Sequence, residues 1–293
     1  MKRIIYSILT LVALLGLVGA IGCTGSTISG DAPLLPQERL QVATTTSLYD
    51  TGLWGYLEPM FEEEYGVEVD VFYAGTGIAL EYGQRGDVDV ITVHSKAQEE
   101  TFVSEGYGIE RVPFAYNYFL IVGPADDPAG IFGMTPEAAF QELYLTGAGS
   151  FISRGDNSGT HSREKAIWEA AGYDYETVQQ AGTWYVEAGR GMGPTLLMAS
   201  EKQGYTITDT GTYLTYKGET GLVPIVDEGS ILLNVYSVIA CNPEKTAGIN
   251  SEMANNMVAF LASPEIQDLI GKYGVKEYGM QLFTPCEGAE PSS

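Results

Sequence analysis

The chain has 293 residues, of which 38 are Asp or Glu and 15 are Lys or Arg, giving a formal charge of −23. That balance argues against nucleic acid as a partner, because a phosphate backbone is held by basic stripes. It also weighs against anionic ligands at long range, but salt screens that field over about 8 Å, and a desolvated site with aimed dipoles can still win. The hydrophobic content of 45% suffices for one large core or two moderate ones.

Met1-Lys2-Arg3 makes a positive start, residues 4–21 are an almost unbroken apolar run, and Gly22-Cys23 follows. The pattern predicts a signal peptide over residues 1–22, cleaved before a lipid-bearing Cys23. Residues 23–37, rich in Ser, Thr, Gly and Pro, read as a flexible tether. The expectation is an exported protein anchored to the outer face of the cell membrane.

Beyond the tether the order is strand, small-residue turn, helix. A strand over 40–43 runs into Thr44-Thr45-Thr46-Ser47, followed by a helix with apolar positions Leu53, Leu57 and Phe61. A strand over 67–73 leads to Ala74-Gly75-Thr76-Gly77, and a strand over 88–93 ends at His94-Ser95; Asp87 and Asp89 serve the turn and edge there. Alternating βα units predict mostly parallel sheets, which bind ligands at the carboxyl ends of their strands. Three strand ends with a hydroxyl cluster at a helix start point to a common pocket.

The apolar strand over 114–124 is suited to crossing from one lobe to another, and 232–240 to the return. Between them lies Ser153-Arg154-Gly155-Asp156-Asn157-Ser158-Gly159-Thr160-His161, which opens a helix reaching to about residue 171. Helix N-termini offer unpaired N–H groups and partial positive charge. The loop adds the Arg154 guanidinium, the Ser158 and Thr160 hydroxyls and glycines that admit a ligand to the backbone, with Asp156 placed to orient Arg154. Gly191-Met192-Gly193 precedes a helix to 201, a strand covers 205–208, Asp209-Thr210-Gly211-Thr212 opens a helix through 216, and helices over 251–261 and 264–273 end the fold. The organisation is α/β with two lobes, 38–118 with 233–293 and 119–232, and a cleft between them that hinges near 116–118 and 232–235.

His94 and His161 are the only histidines, with no further His or Cys at ligand spacing, so no metal site is expected. His161 reads as a helix-surface or supporting residue, and Trp54, Trp168 and Trp184 as core or cleft wall. Cys241 and Cys286 are either a disulfide or two buried thiols. Asp156, Ser158 and His161 include the residue types of a hydrolase triad, but six residues crowd them onto one turn, and no G-x-S-x-G elbow, Walker or dinucleotide motif accompanies them. A binding protein is expected, with an exported hydrolase as the rival.

In order and over residues 40–283, these motifs resemble the tungstate-binding proteins of ABC importers: the lipoprotein signal, Thr44-Thr45-Thr46-Ser47, Gly75-Thr76-Gly77, Gly86-Asp87-Val88-Asp89-Val90, His94-Ser95 and the 153–161 loop. The resemblance implies a type II periplasmic-binding fold, each lobe a mostly parallel sheet flanked by helices, and a monomer that captures tungstate, or molybdate, without a cofactor and delivers it to membrane permease subunits. It places oxyanion contacts on Thr45, Thr46, Ser47, Ser95, Arg154, Ser158, Gly159 and Thr160, and further on Thr76, His94 and Thr210. The Arg154-x-Asp156-x-Ser158-Gly159-Thr160 spacing is also similar to phosphate-binding proteins, so phosphate or sulfate capture is the alternative. Phosphate keeps a proton near neutral pH, and its binding proteins place an Asp where this chain has His94-Ser95. A wall of donors alone therefore favours a bare dianion.

Overall fold

A computed structural model describes residues 38–291. The signal peptide expected over 1–22, Cys23 and the tether over 23–37 lie outside the described residues.

Three βα units come first: β1 (Arg39–Thr45) with α1 (Thr46–Asp50) and α2 (Leu53–Tyr65), β2 (Glu68–Ala74) with α3 (Thr76–Arg85), and β3 (Val90–Val93) with α4 (Lys96–Ser104). The long strand β4 (Val112–Pro124) leads into α5 (Pro136–Thr146), β5 (Phe151–Ser153), α6 (Gly159–Ala170), α7 (Tyr175–Gln179) and β6 (Tyr185–Glu187). Next are α8 (Met192–Glu201), β7 (Thr206–Asp209), α9 (Thr210–Tyr216) and β8 (Leu222–Val226). Strand β9 (Leu233–Ala240) returns, and α10 (Ser251–Ala262), α11 (Pro264–Lys272), α12 (Val275–Tyr278) and β10 (Thr284–Pro285) finish the chain.

Every residue of β3 is buried, as is β1 from Val42 onward. Strands covered on both faces carry continuous apolar and β-branched runs instead of alternation, which is why Val-Ile-Thr-Val and Val-Ala-Thr-Thr suit them. β1 lies between β2 and β3 in parallel register, so the three strands end side by side and release α1, α3 and α4 from one edge. Strand β4 exchanges partners partway along. Val112 to Tyr118 pair with β9, whereas Phe119 to Pro124 pair with β7 and β8. The two crossing strands thus face each other at Asn117–Asn234 and Tyr118–Leu233. Running in opposite directions, they pair antiparallel with each other, β9 is antiparallel to β3 on its far side, and the second half of β4 is antiparallel to β7 and β8. The expectation of mostly parallel sheets therefore holds for β1, β2, β3 and for β5 with β6, and not around β4 and β9.

The two lobes have separate cores. One is built around Trp54, Phe61, Phe114, Tyr236, Phe260 and Phe283. The other gathers Phe119, Phe140, Phe151, Trp168, Tyr205 and Leu232, with Trp184 packed against its rim. All three tryptophans thus serve cores, and none forms the cleft wall.

Cys241 and Cys286 are buried free thiols, and the possible disulfide is not formed. Cys286 lies level with Phe114 just after β10, which is separated from β9 by β4, while Cys241 follows the far end of β9. Two strand spacings alone separate them by on the order of 10 Å, beyond the roughly 7 Å a disulfide can span. Burial pushes both thiols up to about 12, which keeps them protonated.

Candidate functional site

The helix starts of the first lobe meet the 153–161 loop of the second. Ser158 caps α6 by accepting the His161 N–H at 3.2 Å, and Thr45 caps α1 by accepting the Leu48 N–H at 3.3 Å. A capping hydroxyl that accepts from the backbone keeps its own proton to donate. Thr76 is the first residue of α3 and Thr160 the second of α6; both are wholly buried, and neither hydroxyl oxygen has a partner among the described residues. An unsatisfied buried hydroxyl costs about 1–3 kcal/mol, so two of them at helix starts that meet, with Gly75 packed on Asp156 and Ser158, call for an acceptor.

Arg154 leaves the end of β5 and is only 2% exposed. Its Nε and Nη2 donate to Asp156 Oδ2 at 3.1 and 2.5 Å, and Nη2 also reaches Thr46 Oγ1 across the seam at 3.4 Å. Asp156 therefore braces the guanidinium, as the sequence suggests, and its other oxygen accepts the Ser158 N–H at 3.2 Å. The turn that aims Arg154 needs Gly155, whose φ of +60° is costly for residues with a Cβ. Asn157 also lies at positive φ, with its N–H held by His161 Nδ1 at 2.9 Å. His161 Nε2 meets the Tyr175 hydroxyl at 2.7 Å, so this imidazole supports the loop from behind.

The lobes are in contact. Gln98 on α4 donates to Ser162 on α6 at 2.8 Å, and the space at Gly159 is closed by His94, whose ring would lie 2.7 Å from any Cβ there. Gly159 is required for this approach. Ser95 stands at the start of α4 and, with Lys96, Gly159, Ser162 and Arg163, lines a groove of about 350 Å³ along the outer edge of the seam. That groove shares Ser95 and Gly159 with the site but does not include the two unpartnered threonines.

Two expected contacts are otherwise engaged. His94 bonds to Asn234 Oδ1 through Nδ1 at 2.8 Å and to Ser47 Oγ through Nε2 at 3.1 Å. Asn234 spends its NH₂ on Asn117 and Tyr236, so its carbonyl accepts from His94, and Nε2 is left to accept from Ser47. Burial lowers the imidazole to about 4, keeping it neutral. His94 is thus a buttress for Ser47, with no free ring N–H for a ligand. Thr210 likewise donates its hydroxyl to the Tyr118 carbonyl at 2.8 Å, on the crossing strand. Ser47 itself is shared between His94 and Thr45, 3.3 Å away.

Sequence reasoning passed over Asn234, Glu164 and Asp209 as parts of the site. Asp209 caps α9 through the Thr212 N–H at 2.9 Å, a role that its position before Thr210-Gly211-Thr212 signals. Asn234 carries no local signal, since His94 and Asn117, which it joins, lie more than 100 residues away.

Residues 30–265 match the PBP superfamily domain. The tungstate-binding protein TupA of Peptoclostridium acidaminophilum is 47% identical over 246 residues, which cover 83% of this chain and 84% of that one. Its namesake in Campylobacter jejuni is 37% identical over 76% of this chain and 83% of the relative. Among solved structures, the tungstate-binding protein TupA of Desulfovibrio alaskensis G20 superposes with a TM-score of 0.72 at 41% identity, covering 86% of this chain and all of that one. With the separate cores, the two crossing strands and this extent of identity, the chain belongs to the periplasmic-binding-protein superfamily and, within it, to the TupA family.

Proposed function

We propose that the protein captures tungstate in the cleft between its lobes, with molybdate as the closest competitor, and hands it to the permease of an ABC importer. The observation that carries this reading is the pair of buried, unpartnered hydroxyls, Thr76 and Thr160, at helix starts that meet across the seam, with the buried Arg154 of the same loop reaching Thr46. Thr46, Ser95, Ser158 and the N–H groups at Gly159 and Thr160 add donors, Thr45 and Ser47 complete the wall beside them, and no cofactor is called for. The lobes are taken as 38–118 with 233–293 and 119–232, the boundaries at which β4 and β9 cross.

Asp156 has both carboxylate oxygens occupied by Arg154 and Ser158, and Asp209 has both occupied by Thr212. Commitment to the protein's own donors makes either one a poorer acceptor for the proton that phosphate retains, which favours a fully deprotonated dianion over phosphate. Binding measured calorimetrically with tungstate, molybdate, sulfate and phosphate tests this. Tungstate should bind tightest and phosphate weakest; sulfate or phosphate binding as tightly as tungstate would overturn the assignment.

The hydrolase reading has little support. His161 uses Nδ1 on the Asn157 N–H and Nε2 on Tyr175, leaving no nitrogen to deprotonate Ser158. For the address, we hold to Cys23 as the lipid-bearing N-terminus of a mature monomer on the outer face of the membrane. Intact-mass analysis of membrane-extracted protein should show residues 1–22 missing and diacylglycerol on Cys23; retention of those residues would reject it.

A further inference from the structure

We infer that Glu164 is a positioning residue for anion binding, acting through Ser153 to set the turn that aims Arg154 into the cleft. This rests on the reading of the cleft given above. Glu164 lies one helical turn after Thr160 on α6, on the same face, which brings its carboxyl beneath the end of β5. It is wholly buried and has no cation within ion-pair distance among the described residues. Donors take the place of a counter-ion. Ser153 Oγ donates to Oε2 at 2.6 Å, while the Tyr185 hydroxyl and Trp168 Nε1 reach Oε1 at 2.7 and 3.1 Å.

The Ser153 bond is the one that matters for the site. With its proton committed to Glu164, the Ser153 oxygen presents a lone pair to the Gly155 N–H at 3.1 Å, which fixes the left-handed turn directly after Arg154. On the other side, the Ser153 and Arg154 carbonyls accept from Ala188 and Gly189, both at 2.8 Å. The guanidinium is thus held by its own carboxylate, Asp156, and the backbone carrying it by Glu164.

Protonation would reverse this arrangement. Oε1 already receives two donors, so an added proton goes to Oε2 and points at Ser153. The serine must then turn its own hydrogen away and share its lone pairs between that proton and the Gly155 N–H. Burial pushes the Glu164 carboxyl up to about 7, with the negative charge of Glu187 on β6 adding to the rise. The other groups facing it are silent near neutrality. Burial first, and carboxylate neighbours after it, hold the Tyr185 and Tyr175 phenols well above their usual range. Burial keeps His161 down at about 4, and Phe140 on α5 brings no charge.

The test is calorimetric titration of sodium tungstate into the protein between pH 6 and 8. A carboxylate that must be ionised, with its pKa near 7, predicts that wild-type affinity falls about tenfold from pH 8 to pH 6. Glu164→Gln and Ser153→Ala should both bind more weakly than wild type at pH 8 and show no pH dependence. Ser153→Ala leaves the carboxylate in place, so a folding defect from Glu164→Gln does not decide the outcome. A flat wild-type profile, an affinity that rises on acidification, or a wild-type slope retained in either variant would overturn the role of Glu164. Absence of any tungstate binding by the wild type at pH 8 would instead strike the reading of the cleft.

Discussion

The two walls of the cleft achieve order by different means. The first-lobe wall, Thr45 to Ser47 with His94 behind it, is neutral: hydroxyls, helix starts and an imidazole held uncharged by burial. The second-lobe wall carries charge, with Arg154 braced by Asp156 and the loop backed by the buried Glu164. Neutral hydrogen bonds set shape and tolerate loss, whereas a charge-assisted bond in a dry cleft contributes about 1.5–3 kcal/mol and is costly to orphan. In the proposed site the first lobe thus supplies the mould and the second most of the attraction.

Removing the charge should break that division most severely. Arg154→Ala is expected to weaken tungstate binding by about 10- to 150-fold, the range that 1.5–3 kcal/mol spans. Arg154→Lys should recover only part of it, because the fork shared between Asp156, Thr46 and the anion is lost. Wild-type affinity for Arg154→Ala in calorimetry would remove attraction from the second wall.

Next comes the contact between the walls. A Cβ at Gly159 would meet His94 at 2.7 Å, and overpacking of this kind costs about 1–3 kcal/mol. Gly159→Ala should weaken binding several-fold or more, with its unfolding temperature close to wild type, and reduce the compaction on ligand addition seen by small-angle scattering. Full compaction would show that the lobes need not approach this closely.

A smaller effect sharpens the account of the hydroxyls. Thr160→Val removes one hydrogen bond from an uncharged donor to the anion, worth about 1–1.5 kcal/mol or roughly 5- to 12-fold in affinity. Because the hydroxyl has no partner among the described residues, thermal stability without ligand should stay level or rise. A loss of stability would mean that Thr160 bonds within the protein. Smallest of all is Thr210→Val. Its hydroxyl is spent on the Tyr118 carbonyl, so affinity should change by no more than about twofold, a few tenths of a kcal/mol. A larger loss in calorimetry would return Thr210 to the ligand.

What the sequence displayed was whatever lay close together along it. The 153–161 loop is contiguous, so its donors and its brace could be read at once, and the hydroxyl turns at Thr45, Thr76 and Ser95 followed from the βα rhythm. His94 and Thr210 sit in those same turns and read as donors, but their partners, Asn234 and the Tyr118 carbonyl, lie 140 and 92 residues away. Glu164 looked like one more polar position on a helix, because Ser153 and Tyr185 come to it only once β5, β6 and α6 have packed. The three-residue strands β5 and β6 are too short to show any period. The fate of the cysteines depended on strand order, which a two-cysteine spacing does not encode.

The unpartnered hydroxyls of Thr76 and Thr160 also bear on honesty in signalling. A permease senses only the outside of its delivery protein, so a molecule that shut without cargo would send a false report. Shutting without an anion strands both hydroxyls away from water, a penalty of about 2–6 kcal/mol for the two, while opening lets water satisfy them. In the proposed site, the atoms that grip the anion also disfavour the shut shape in its absence, so that the outer surface becomes a trustworthy announcement of what is inside.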